Sequence, residues 1–121
     1  MISNQAILCV LFLAAFCISG ILGAGGNNCW APPSFFGSEC KSTTSIIGRP
    51  GHKIVYSISF NGNTLLCCKA FYCRSNRCKL YDIGCSARSW RTNRLPWGNN
   101  LATPSLQCKG VVLGAAYSFT H

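Results

Sequence analysis

The chain reads as a small disulfide-rich, mainly β domain, and three observations point there. Eight cysteines lie in the 97 residues that follow a 24-residue apolar leader, a density at which a short secreted chain is held together by disulfides. Between His52 and Cys85, apolar residues recur at every second position, which is the period of a strand. No run with helical spacing follows the leader. The expected architecture is an antiparallel meander over about 53–60, 63–73 and 78–85, with a C-terminal strand, stapled by four disulfides.

Residues 1–24 contain no Lys, Arg, Asp or Glu, and Ile7 to Ile18 forms an apolar core followed by Gly20, Gly23, Ala24, Gly25 and Gly26. An apolar stretch ending in small residues is the pattern of a signal peptide. Cleavage is expected between Gly23 and Gly26, with residues 25–121 secreted as one extracellular domain. A membrane anchor is the alternative, because Ala6 to Ala24 spans 19 residues and ~20 cross a bilayer. The glycines and the missing basic flank favour the signal peptide.

Cys9 and Cys17 leave with the leader, so the domain keeps Cys29, Cys40, Cys67, Cys68, Cys73, Cys78, Cys85 and Cys108. In an oxidising compartment these should form four bonds. A domain this small buries only about two-thirds of its unfolded surface, which makes cross-links valuable.

Asn27 to Ser45 carries Trp30, Pro32-Pro33 and Phe35-Phe36 and reads as an irregular arm tied down by Cys29 and Cys40. Ile46-Ile47 starts a short strand before the Arg49-Pro50-Gly51 turn. In Lys53 to Phe60, Ile54, Tyr56, Ile58 and Phe60 point one way while Val55, Ser57 and Ser59 point the other. Asn61-Gly62 then suggests a type I′ turn, whose two central residues need positive φ. That turn would pair 60 with 63, 58 with 65 and 56 with 67.

A second turn at Arg74–Arg77 pairs 73 with 78, 71 with 80 and 69 with 82, placing Lys69 opposite Asp82. Neighbouring strand residues face opposite sides, so Cys67 and Cys68 should send their disulfides to opposite faces; a strained Cys67–Cys68 bond is the alternative. Leu106 to Phe119 is either one strand broken at Gly114 or two strands.

Eleven Lys and Arg stand against two acids, giving a net charge of +9. Glu39 and Asp82 are the whole carboxylate stock, too little for catalysis by a pair of acids with separated pKa values. A small extracellular ribonuclease could draw on Glu39, His52 and Arg49, yet each has an ordinary surface explanation. Disulfide-bonded cysteines are not thiolate ligands, so neither metal nor cofactor is expected.

The segment from Cys85 to Cys108 contains Arg88, Trp90, Arg91, Arg94 and Trp97 and no acid. Guanidinium grips phosphate or carboxylate in a fork, and indole suits an apolar–water boundary. These five residues are the expected contact surface for an anionic protein, glycan or lipid. Nucleic acid would fit chemically but is met less often outside a cell. The competing reading makes the tryptophans a lid on the sheet and the arginines its solvated side. Lys69, Arg74, Arg77 and Lys79 form a second basic cluster around the second turn.

In outline the chain resembles the small secreted cysteine-rich proteins released as effectors, toxins or antimicrobials, a class rather than a family. That resemblance implies a monomeric binding protein, not an enzyme, acting on another organism or its surface. Disruption of anionic membranes and the extracellular ribonuclease are its alternatives.

Overall fold

The computed structural model describes residues 25–121, so the signal peptide expected over 1–24 lies outside the described residues. Among the described residues, twelve antiparallel strands run in the order β1 (Gly26–Ala31), β2 (Cys40–Lys41), β3 (Ile46–Ile47), β4 (Lys53–Ile54), β5 (Ser57–Asn61), β6 (Leu66–Arg74), β7 (Arg77–Ser86), β8 (Trp90–Arg91), β9 (Leu95–Pro96), β10 (Leu101–Ala102), β11 (Ser105–Gly110) and β12 (Ala115–Thr120). There is no helix among the described residues. One sheet has the order β1-β12-β5-β8 and the other β2-β11-β6-β7; β3 with β10 and β4 with β9 form two small ribbons. The mainly β, disulfide-rich class is therefore as expected.

One core serves both sheets. It combines Tyr56, Ile58, Tyr117 and Phe119 with Leu66, Cys68, Ala70, Leu106 and Cys108, and Trp97 closes it. The alternation predicted in 53–60 is present, since Ile54, Tyr56 and Ile58 are all buried. That segment nevertheless splits into β4 and β5. Tyr56 bonds sideways at the break, its carbonyl accepting the Thr92 N–H (2.9 Å) and its N–H donating to the Thr92 hydroxyl (3.0 Å).

The Asn61-Gly62 hairpin is not formed. Strand β5 pairs with β12, setting Asn61 opposite Ala116 and Ile58 opposite Phe119, while β6 belongs to the other sheet. Asn61 ends β5 with an ordinary φ, and Gly62 takes φ 153°, so the chain crosses between sheets here. The physical reason is that an alternating strand accepts any alternating partner, and β12, with Ala115, Tyr117 and Phe119 buried, matches β5 as well as the nearer segment does.

The type I′ geometry appears one turn later. Ser75 (φ 48°) and Asn76 (φ 62°) are both left-handed and close the β6–β7 hairpin, where Cys73 faces Cys78, Phe71 faces Leu80 and Lys69 faces Asp82 as predicted. The charges themselves do not meet: Asp82 Oδ1 accepts the Gly84 N–H (2.8 Å), and the Lys69 ammonium lies over the Phe36 ring.

Between Cys68 and Lys69 the register shifts, so that Cys68 faces Gly84 and Cys67 faces Cys85. This bulge at Ile83-Gly84 brings Cys85 opposite Cys67, to which it is bonded. Gly84 adopts φ 93° there with open space around it. Gly84→Val should therefore cost ~1–3 kcal/mol through backbone strain alone, read as a lower urea midpoint.

The remaining disulfides are Cys29–Cys40, Cys68–Cys108 and Cys73–Cys78. Cys67 thus bonds to β7 and Cys68 to β11, so the strained Cys67–Cys68 bond is not formed, and Cys29–Cys40 links β1 of one sheet to β2 of the other. The arm expected to be irregular begins with a full strand, β1, which pairs with β12 from Gly26↔Thr120 to Ala31↔Ala115. Its sequence hides this, because Asn27 and Asn28 are poor strand formers and only Ala31 is fully buried.

Burial sets the expected pH response. His121 Nε2 lies 2.7 Å from the Ser42 hydroxyl, and desolvation lowers the pKa of the imidazole. The unfolded chain then binds a proton below about pH 6.5 that the folded chain resists. Stability should fall as pH drops below that value, and His121→Gln should flatten the acid limb of a melting-temperature profile. Burial pushes Tyr117 up to about 12 and raises Tyr56 further. Above about pH 10 these two phenols release their protons more readily in the unfolded chain than in the folded one, so stability should also decline on the alkaline side.

Candidate binding surface

The Cys85–Cys108 segment is not one loop. It contains β8, β9, β10 and the start of β11, and these separate the five predicted contact residues. Trp97 is completely buried. Its indole N–H donates to the Asn100 carbonyl (2.9 Å), the Asn100 amide donates back to the Trp97 carbonyl (2.6 Å), and its ring meets Phe71 edge-on at 5.9 Å. A side chain so enclosed is a core residue and cannot touch a partner, which corrects its expected role.

Trp90 is half-buried, stands edge-on to Phe60 and pairs through its backbone with Ile58. Arg88, Arg91 and Arg94 are exposed. Arg91 alternates with Trp90 on β8 and lines a shallow groove of about 290 Å³ with Asp82, Thr92 and Asn93. Arg88 sits in a tight turn whose backbone is bonded on both sides by the Ser86 hydroxyl. The predicted patch thus keeps its three guanidiniums on the surface and gives Trp97 to the core.

The second basic cluster is an organised one. The Arg74 guanidinium and the Lys79 ammonium lie 5.1 and 5.2 Å from the centre of the Tyr81 ring, and Tyr81 stacks on Tyr72 at 4.5 Å. Tyr81 holds both cations against its ring, and Arg77 flanks them at the turn.

A third surface was missed from the sequence. Trp30, Pro32, Phe35, Phe36 and Glu39 line an open groove of about 660 Å³, with Trp30 59% and Phe35 64% exposed. Lys69 and Lys109 both lie against the Phe36 ring, at 4.5 and 4.8 Å from its centre. The aromatic residues were visible in the arm, but the lysines come from β6 and β11, distant in sequence. Beside the groove, the β11–β12 turn exposes Val112 and Leu113, its N–H groups fixed by the Thr64 hydroxyl.

Among the described residues, neither side-chain carboxylate is hydrogen-bonded to a cation. Glu39 accepts the buried Ser105 hydroxyl (2.5 Å) and Asp82 the Gly84 N–H. The three residues that a ribonuclease would need are divided between two grooves, Glu39 in that of Trp30 and His52 with Arg49 in another.

No family model matches the chain, and no solved structure matches it. The chain is 33% identical to the insoluble matrix shell protein 3 of Ruditapes philippinarum, over 93% of its own length and 92% of the relative's. An alignment of that identity running almost end to end in both chains makes this protein a member of the family of that insoluble matrix shell protein.

Proposed function

We propose that the protein is a secreted, disulfide-stapled component of an extracellular matrix that binds rather than catalyses, holding acidic macromolecules of that matrix on its basic surface. The observation that carries this reading is the charge count. With eleven cations and two side-chain carboxylates, at least nine cations have no acid to pair with, and several of them are fixed over aromatic rings. Fixing a flexible ammonium in advance lowers the entropy lost when it meets an anion, and a strongly positive net charge speeds the encounter. Kinship with a matrix shell protein supplies the setting, and the four disulfides suit the oxidising environment outside a cell.

An effector or membrane-active role draws on the same charge and gains no separate support from the geometry. Titration with an acidic and a neutral polysaccharide tests the proposal. The acidic polymer should bind, with affinity falling roughly tenfold or more as salt screens exposed charges between 50 and 500 mM. Arg88→Gln, Arg91→Gln and Arg94→Gln together should weaken it with melting temperature unchanged. Equal, salt-independent binding of the neutral polymer would contradict it.

A further inference from the structure

The Trp30 groove is built, not incidental. Its floor is Gly37, whose N–H donates to the Cys108 carbonyl (3.1 Å) and whose carbonyl accepts the Gln107 side-chain amide (2.8 Å), so it rests on β11. Its aromatic wall is seated as well. A Cβ on Gly114 would stand 2.4 Å from Trp30 Cζ2 and 3.0 Å from Cε2, so only a bare backbone lets the indole lie there. Phe36, which lines the groove, carries two ammonium groups against its ring, and Glu39, already accepting the Ser105 hydroxyl, lies on the same lining.

Open aromatic faces beside fixed cations suit a ligand that is apolar on one face and acidic at its edge. A sugar ring is such a ligand: its C–H face packs on an aromatic ring, and its carboxylate or sulfate reaches an ammonium. A large exposed aromatic surface on a small domain is itself a mark of a contact site.

We propose that this groove binds an acidic oligosaccharide, with sugar rings stacked on Trp30 and Phe35 and an acid group held by Lys69 and Lys109. Glu39 repels that acid group from its own side and so directs it to the lysines. The inference rests on the proposed function and narrows it, from acidic macromolecules on a basic surface to acidic glycan in one groove.

The test uses the disulfide-intact secreted protein, titrated with hyaluronan and chondroitin sulfate fragments and followed by calorimetry and tryptophan fluorescence. Trp30→Ala, Phe35→Ala and the pair Lys69→Gln with Lys109→Gln should each weaken binding at least tenfold, while the charge-matched pair Arg49→Gln with Lys53→Gln, exposed and away from the groove, changes it less than threefold. If a groove variant does not fold, wild-type protein gives the answer instead, because bound fragment should shield Lys69 and Lys109 from an amine-reactive reagent.

Equal loss in the Arg49/Lys53 control, or no shielding, would overturn the groove and leave the proposed function standing. Equal binding of a neutral chito-oligosaccharide, or shielding of these lysines by anionic phospholipid vesicles but not by the fragments, would overturn the acidic-glycan assignment. Failure to bind any polyanion would overturn both readings.

Discussion

Replacing Cys68 and Cys108 together by alanine is expected to lower stability by about 4 kcal/mol, whereas the same change at Cys73 and Cys78 should cost only about 2 kcal/mol. The two bonds close loops of very different length, with sequence separations of 40 and 5, and a longer loop restores more entropy to the unfolded chain when it is opened. Burial adds to the contrast, since Cys68 and Cys108 are at most 1% exposed and losing their sulfur atoms leaves a void in the shared core. Because a domain has only ~5–15 kcal/mol in total, the first variant should be partly unfolded near body temperature. Urea denaturation followed by tryptophan fluorescence measures both losses. Equal losses would mean that local packing, not loop length, sets the value of these bonds.

Trp97→Ala should be the most damaging single substitution outside the cysteines, at ~3–5 kcal/mol. It empties the site that closes the core, strands the Asn100 carbonyl that accepts the indole N–H and removes the edge contact with Phe71. The loss is one of folding. Whatever fraction remains folded should keep its affinity for a polyanion, while replacing Arg88, Arg91 and Arg94 should do the reverse, leaving stability within ~0.5 kcal/mol. Thermal melts and binding isotherms on both variants separate the roles. A Trp97 variant that melts like the wild type and binds weakly would restore Trp97 to the contact surface.

These two experiments bear on different parts of what the sequence discloses. The β6–β7 hairpin was legible from its turn to Lys69 and Asp82, because alternation and a four-residue interval between Cys73 and Cys78 leave one register that satisfies both, whereas the bulge that sets Cys67 opposite Cys85 was not. The β5 partner was not. Ile54, Tyr56 and Ile58 show that the strand has one buried face, but nothing local says whether the matching face comes from residues 63–73 or from Tyr117 and Phe119 at the far end of the chain. Sequence proximity favoured the first, and pairing with β12 is what the fold uses.

Strand β1 was hidden for a related reason, since its backbone is held by the ladder to β12 and its side chains contribute little. At the candidate site, the arginines between Cys85 and Cys108 were visible as exposed charge, whereas Trp97 was left between a contact residue and a lid on the sheet, as indole serves both settings. The Lys69–Phe36–Lys109 cluster could not be read at all from residues so far apart.

The most direct test of the account is where the protein resides and what releases it. Extracellular matrix from the tissue that makes the protein would be washed first in dilute buffer and then in buffer of rising salt, with each fraction quantified by antibody under non-reducing conditions. A basic matrix component held by acidic neighbours should stay in the insoluble fraction through the dilute wash and emerge as screening shortens to ~3 Å near 1 M salt. Complete release in the dilute wash, or a matrix that never contains the protein, would contradict the account.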